Sequence, residues 1–267
     1  MNQDISLRKM TTKDWDAFHR FDVLAFPDDT MSEEFFFKRL DRDGFFSLDL
    51  KGEMIGQLII SPFGENEGHL GRIAIAPTHQ GQGYGNVLLQ EAMKWFKDHS
   101  LTKVHLYTQD HNKVAQSLYR KFGFEKSGTT WHYFVPLETL RQRKQFKCQP
   151  IELDEIEVVG MRYASLPAAQ IRRFLEFSEH PVFTLKDDDG SLKGACRFTP
   201  SFPGCFPFEL DEIDGLDDFL LGLKPYSLPE YDYIRITFVD NEKLSVLCKE
   251  RGYRLHHRLF KMTVSIT

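Results

Sequence analysis

The sequence predicts an α/β or mixed fold, laid down twice along the chain. Three observations carry this prediction. Apolar runs with strand-like patterning alternate with segments of helical periodicity up to about residue 137. A glycine-rich loop joins an apolar strand to an amphipathic helix within residues 76–96. The spacing of glycine, proline and asparagine in the first half returns in the second.

The elements follow in order. "DISLRKM" alternates and reads as a first strand. A helix is predicted from Thr12 through "KDWDAFHRF", and a second over "SEEFFFKRL", capped by Ser32. "FFSLDLKGEMIGQLIISPF" gives two strands around a Lys51-Gly52 turn. "HLGRIAIAP" is apolar on both faces, as a buried central strand is. From Tyr84 onward Val87, Leu88, Ala92, Trp95 and Phe96 recur at helical spacing. "KVHLYTQ" is a strand and "NKVAQSLYRKF" a helix that Gly123 ends. "WHYFVPL" closes the unit near Leu137.

Residues 138–150, polar, basic and ending in Pro150, read as a linker, and a second unit is expected over 151–267. It echoes the first. Gly52, Gly56 and Pro62 are matched at the same spacing by Gly190, Gly194 and Pro200. Asn112 stands eleven positions before Gly123, with Leu118 between, and Asn241 stands eleven before Gly252, with Leu247 between.

Composition narrows the function. The chain has 267 residues, 41% of them hydrophobic, enough for one large domain or two ordinary ones. Its net charge of -5 comes from interspersed acids and bases, so no basic patch points to nucleic acid. The four cysteines form no CxxC pair and read as free thiols of a reducing compartment. "MNQDISLRKM" has no apolar signal core and no run is long enough to cross a bilayer, so a cytoplasmic protein without a membrane partner is expected.

Gly81, Gly83 and Gly85 are the main functional signal. A strand, a glycine loop and a helix start aim several backbone N–H groups one way, where the helix dipole adds positive charge, and such a nest suits a phosphate. A plain strand-to-helix turn would need only one glycine. A Walker A loop needs Lys-Ser/Thr after its last glycine, but Asn86-Val87 follow here. The Rossmann fingerprint needs a gap before its final glycine that Gly81-Gln82-Gly83-Tyr84-Gly85 does not supply.

Gln80-x-x-Gly83-x-Gly85, preceded by "IAIAP", resembles the Q/R-x-x-G-x-G/A signature of the GNAT superfamily of N-acetyltransferases. The segment Asn112-x-x-Ala115-x-x-Leu118-Tyr119-x-x-Phe122-Gly123-Phe124 is similar to that family's second motif, so the resemblance covers roughly residues 5–137. It implies a mixed, mostly antiparallel twisted sheet flanked by helices, duplicated in tandem, with acetyl-CoA as cosubstrate and no metal. The pyrophosphate is then expected on Gln80, Gly81, Gln82, Gly83, Tyr84 and Gly85, and the pantetheine along Ile73, Ala74 and Ile75. Asn112 serves as helix cap, cofactor contact or both.

Acetyl transfer to an amine needs a neutral amine, a polarised thioester and a proton for the leaving thiolate, but no covalent nucleophile. The resemblance makes Tyr119 the general acid, against the alternative of a packing tyrosine. Glu67, with His69 beside it, is the candidate base, and Glu65 and Asp110 are further candidates. The second half lacks the glycine loop, and Cys248 stands where Tyr119 would. Its acidic, proline-punctuated stretch after Pro200 is a poor pyrophosphate cradle, so residues 151–267 are expected to be a degenerate acetyltransferase-like domain beside a catalytic one over 1–137. The acceptor is an amine on a small molecule or peptide. A CoA-binding sensor or scaffold without activity, or the use of another acyl-CoA, are the alternatives.

Overall fold

The computed structural model describes residues 4–27, 29–63, 66–178 and 181–266. Its first elements are β1 (Ile5–Lys9), α1 (Trp15–Ala25), α2 (Glu33–Leu40), β2 (Phe45–Leu50), β3 (Glu53–Phe63), β4 (Glu67–Ile75), α3 (Tyr84–Asp98), β5 (Lys103–Gln109), α4 (Lys113–Lys121) and β6 (Glu125–Pro136). There follow β7 (Lys147–Pro150), α5 (Ile156–Arg162), α6 (Ala168–Leu175), β8 (Val182–Lys186), β9 (Leu192–Thr199), β10 (Gly204–Leu210), α7 (Leu216–Leu223), β11 (Tyr233–Val239), α8 (Glu242–Glu250) and β12 (Arg254–Ser265). Among the described residues no helix is long and apolar enough to cross a membrane.

The chain divides into two compact units, Met1–Ser127 with Phe260–Thr267, and Gly128–Leu259. This differs from a boundary at Leu137. Strand β6 runs on past the division and pairs with β11 of the second unit from Thr130 to Pro136. The place beside β5 in the first unit is filled by the end of β12, where Ile266 N–H bonds Thr102 O. The linker is also more ordered than its polarity suggests. The Asp218 carboxylate accepts the backbone N–H groups of Arg143, Lys144, Gln145 and Phe146, and β7 then pairs with β8.

In the first unit the sheet order is β1-β2-β3-β4-β5-β12, with β1–β2, β2–β3 and β3–β4 antiparallel and β4–β5 parallel. Helices α3 and α4 pack on one face, burying Leu88, Ala92, Phe96 and Tyr119 against Leu58, Leu70 and Leu106. Helices α1 and α2 cover the other face of β2 and β3 through Phe18, Phe36, Phe45 and Ile59. Thr12 opens a short 3-10 turn before α1 instead of the helix itself, because the Asp14 carboxylate is held by Thr11 and Arg8. Ser32 caps α2 as predicted.

The second unit repeats the plan. Gly52 and Gly190 both turn between paired strands with positive φ, and Gly123 and Gly252 both end a helix the same way. Asn112 and Asn241 each cap a helix by accepting the N–H three residues on, at 3.0 Å in both. Gly56 and Gly194 each sit where a Cβ would collide with the neighbouring strand and helix. The sheet is mixed, flanked by helices and built in tandem, as predicted.

Candidate active site

Strands β4 and β5 pair in parallel from Glu67–Lys103 to Leu70–Leu106 and no further. Just past that last rung β4 carries one extra residue against β3: Leu70 pairs with Ile60 and Arg72 with Ile59, so Gly71 is bulged. A bulge bends its strand and raises its twist, and here β4 leaves β5 to open a notch. The Ala76 N–H bonds Ile55 O on β3. By the alternation of an antiparallel pair, Ile73 and Ile75 therefore present their N–H and C=O groups away from β3, into the notch. Ala74 contributes its side chain, while its backbone faces β3.

The glycine loop follows. Gln80 pins it by donating from Nε2 to Ile75 O at 2.9 Å. Gly81 and Gly83 have φ of +75° and +90°, and an added Cβ at either would meet no protein atom within 4 Å. Left-handed backbone is what demands glycine there. Gly85 is needed for a different reason: its Cβ would press on Leu118 of α4 at 3.2 Å. Among the described residues no acceptor meets the N–H groups of Gly81, Gln82, Gly83, Tyr84 or Gly85. Unsatisfied amides at the head of a fifteen-residue helix are an arrangement that can receive an anion. The Gln82 side chain turns away from it, to Thr78 O.

Two overlapping cavities continue this cradle. One, of about 550 Å³, joins the three glycines to Asn86, Lys113 and Lys121. The other, of about 450 Å³, runs from Gln80, Gly81, Tyr84 and Gly85 past Ile73, Ala74 and Ile75 to Asn112 and Tyr119. Tyr119 is 5% exposed, and burial pushes its phenol up to about 12. It therefore stays protonated through the working range and keeps a proton to give. Asn112 has its side-chain oxygen committed to Ala115 N–H, which leaves its amide donors.

Sequence reasoning missed two groups. Lys113, Ser117 and Lys121 line the first cavity at i, i+4 spacing on α4, a signal legible in the sequence. Leu24, Ala25 and Phe26 line the second from the end of α1 and have no such signal. They are placed by Asp22, which is fully buried and accepts from Gln57 Nε2, Arg72 Nη1 and Met31 N–H. Arg72 also reaches Asp29 and stacks on the Phe26 ring, 4.5 Å from its centroid.

Glu67 is not brought to the cavities. It stands at the opposite end of β4 from Ile75, about 26 Å away for a strand of this length, with Lys103 at 3.5 Å and His105 at 3.1 Å. Asp110 lines neither cavity, and Glu65 lies outside the described residues.

Residues 7–124 match the profile of the acetyltransferase (GNAT) family. An N-alpha-acetyltransferase of Sulfolobus acidocaldarius is 30% identical over 143 residues, which are 48% of this chain and 84% of that protein. The chain belongs to the GNAT family. It is an acyltransferase of that class. The match to a mycothiol acetyltransferase of Amycolatopsis mediterranei, 30% identical over 101 residues, spans 35% of this chain and only about a third of that relative. Whole-length likeness comes from solved structures. A GCN5-related N-acetyltransferase from Sphaerobacter thermophilus superposes with a TM-score of 0.75 at 15% identity, covering 99% of this chain and 96% of its own. A tandem GNAT protein from the clavulanic acid biosynthesis pathway gives 0.65 at 12% identity, covering 98% of each chain. Both show the duplicated GNAT fold.

The second unit has a notch of the same kind with different residues around it. Strands β10 and β11 pair only at Gly204–Arg235 and Cys205–Ile236. The Asn241 side-chain amide donates to Leu210 O at 3.1 Å, so the group that Asn112 leaves available is spent there. The first turn of α7 carries Asp217 and Asp218, and no glycine of positive φ precedes it. Cys248, the counterpart of Tyr119, is fully buried in the core, with its thiol pushed up to about 12.

Proposed function

We propose that the chain transfers an acetyl group from acetyl-CoA to an amine on a small molecule or peptide, and does so in the first unit alone. One observation carries this. The amide cradle at Gly81–Gly85 and the protonated Tyr119 lie along one notch, beside Ile73 and Ile75, whose backbones face away from β3 and of which the Ile75 carbonyl already accepts from Gln80. Acetyl-CoA supplies the activated acyl group as a thioester. The cradle amides and the cations of Lys113 and Lys121 suit its phosphates, and Ile73 and Ile75 suit its pantetheine amides. Tyr119 holds a proton for the departing sulfur. No enzyme nucleophile is needed, because two bound reactants gain most from orientation. In the second unit the corresponding helix opens with two buried carboxylates, Asp217 held by Arg251 and Asp218 by the amides of Arg143–Phe146, and no glycine loop offers free amides to a phosphate. Calorimetric titration of the full chain with CoA should therefore give one site per chain. Two sites would refute the loss of binding in the second unit, and none would refute the cradle.

A further inference from the structure

We propose that the second unit binds a small organic anion, a carboxylate or phosphate carried on an aromatic group, in the cavity between α6 and the end of β9.

The alternation of β9 builds the place. Cys196 and Phe198 turn into the core shared with α7 and α8. Ala195 packs on the other face, under α5 and α6, with Ile171 and Val182. Arg197 falls on the same face as Ala195, and Thr199 follows two residues on. A cavity of about 490 Å³ opens there, within the usual range for small-molecule sites. Arg173 and Phe174 line it from α6, Phe177 from just beyond that helix, and Arg197 and Thr199 from β9. Among the described residues its lining holds two arginines and no carboxylate.

A third arginine lies next to it. Thr199 is in register with Gly204 on β10, and Gly204 with Arg235 on β11. Directly opposed residues share a face. A Cβ on Gly204 would stand 3.7 Å from Arg235 Nε and 3.5 Å from the Phe202 ring, so both lie over this face.

The charges are what call for a ligand. The Arg235 guanidinium lies 3.9 Å from the centroid of the Phe202 ring, and its Nε is buried without a hydrogen-bond partner. Arg197 rests in the same way on Phe174, at 4.5 Å. Among the described residues Arg173, Arg197 and Arg235 engage no carboxylate. Elsewhere in the unit Arg162, Arg172 and Arg251 each hold one. Burial lowers Arg235 from its ordinary value, yet an arginine remains charged. Partly buried cations without counter-charge are costly, and an oxyanion would offset that cost. A guanidinium laid on a ring holds its N–H fork in one direction, the geometry that grips a carboxylate or phosphate through two hydrogen bonds. Thr199 adds a hydroxyl. Phe177, with 79% of its surface exposed beside these cations, gives the apolar part of the ligand a ring to stack on.

The test is an NMR titration of the backbone amides of the full chain with benzoate, phenyl phosphate and uncharged benzyl alcohol. At least one anion should bind with a Kd of about 1 mM or tighter, ordinary for ligands of roughly ten non-hydrogen atoms. It should bind at least about tenfold more tightly than benzyl alcohol, and which anion does so separates carboxylate from phosphate. The shifted amides should cluster at residues 173–177 and 197–199. Absence of binding by either anion up to about 10 mM, equal binding of the alcohol, or shifts confined to the loop at residues 81–85 would each overturn the proposal. Arg197→Gln should weaken the preferred anion about tenfold or more. Arg173 is exposed, so Arg173→Gln leaves the fold intact and should weaken it about threefold. Unaltered affinity in both variants would place the anion elsewhere, and if Arg197→Gln fails to fold, Arg173→Gln decides alone.

Discussion

Tyr119 and His69 are both displaced by burial, in opposite senses, because burial favours whichever form of a group is uncharged. For Tyr119 that form is the acid, kept to about 12. Tyr119→Phe keeps the packing and removes the proton, so the chemical step should slow by roughly 10²- to 10⁴-fold in single-turnover kinetics. Near-normal single-turnover rates would assign the proton to water. For His69 the uncharged form is the base, and this has a cost in acid. The unfolded ring binds a proton below 6.5, while the folded ring resists down to about 4. Stability is therefore full above pH 6.5 and is lost as pH falls towards 4, by roughly 2–3 kcal/mol from this group. His105 and His132 are lowered too and act in the same direction. His69→Gln should flatten the acid side of a melting-temperature profile between pH 7 and 4.5, and an unaltered profile would mean that the ring is solvated.

At the scale of elements, the strand β4, its loop and α3 work as one device. The bulge at Gly71 opens the notch, Gln80 fixes the loop to the strand end, and Gly81 and Gly83 turn their amides outward. Gly83→Asp would place a strained left-handed residue and a carboxylate in the cradle. CoA affinity should drop at least about tenfold, or 1.4 kcal/mol, while the fold survives because open space surrounds that position. A folded variant with unaltered affinity would place the phosphates elsewhere. Much of this device was legible in the sequence, since Gln80, Gly83 and Gly85 carry the family motif and their backbone demands are local. The bulge was not, because a single extra residue is defined only against the partner strand.

At the scale of the molecule, the exchange of final strands changes what a truncation does. A chain ending near Leu137 lacks Phe260–Thr267, which belong to the first unit, and leaves β5 with an open edge. Such an edge invites aggregation, so this truncation should be insoluble. The remedy follows from Ser127, whose hydroxyl lies 3.4 Å from Lys261 O. Joining Ser127 to Phe260 through a short turn, with residues 128–259 deleted, should restore a soluble unit that binds CoA. If the truncation at Leu137 folds and binds CoA just as well, the last strand is dispensable.

The sequence by itself determined the order of strands and helices, the duplication and the glycine cradle. Each of these rests on short-range periodicity, on backbone conformations that only glycine adopts readily, or on caps such as Asn112 and Asn241 that act within four residues. Only the tertiary structure decided which residues face the notch and where the units divide. Strand β6 carries no mark that it pairs with β11 over a hundred positions away, and Asp22, Phe26 and Arg72 meet only after folding. The same holds for Glu67 and His69. Their residue types announced acid–base chemistry, but the side of the sheet they face was fixed by Gly68 closing on Phe96, a contact between elements that no local pattern encodes.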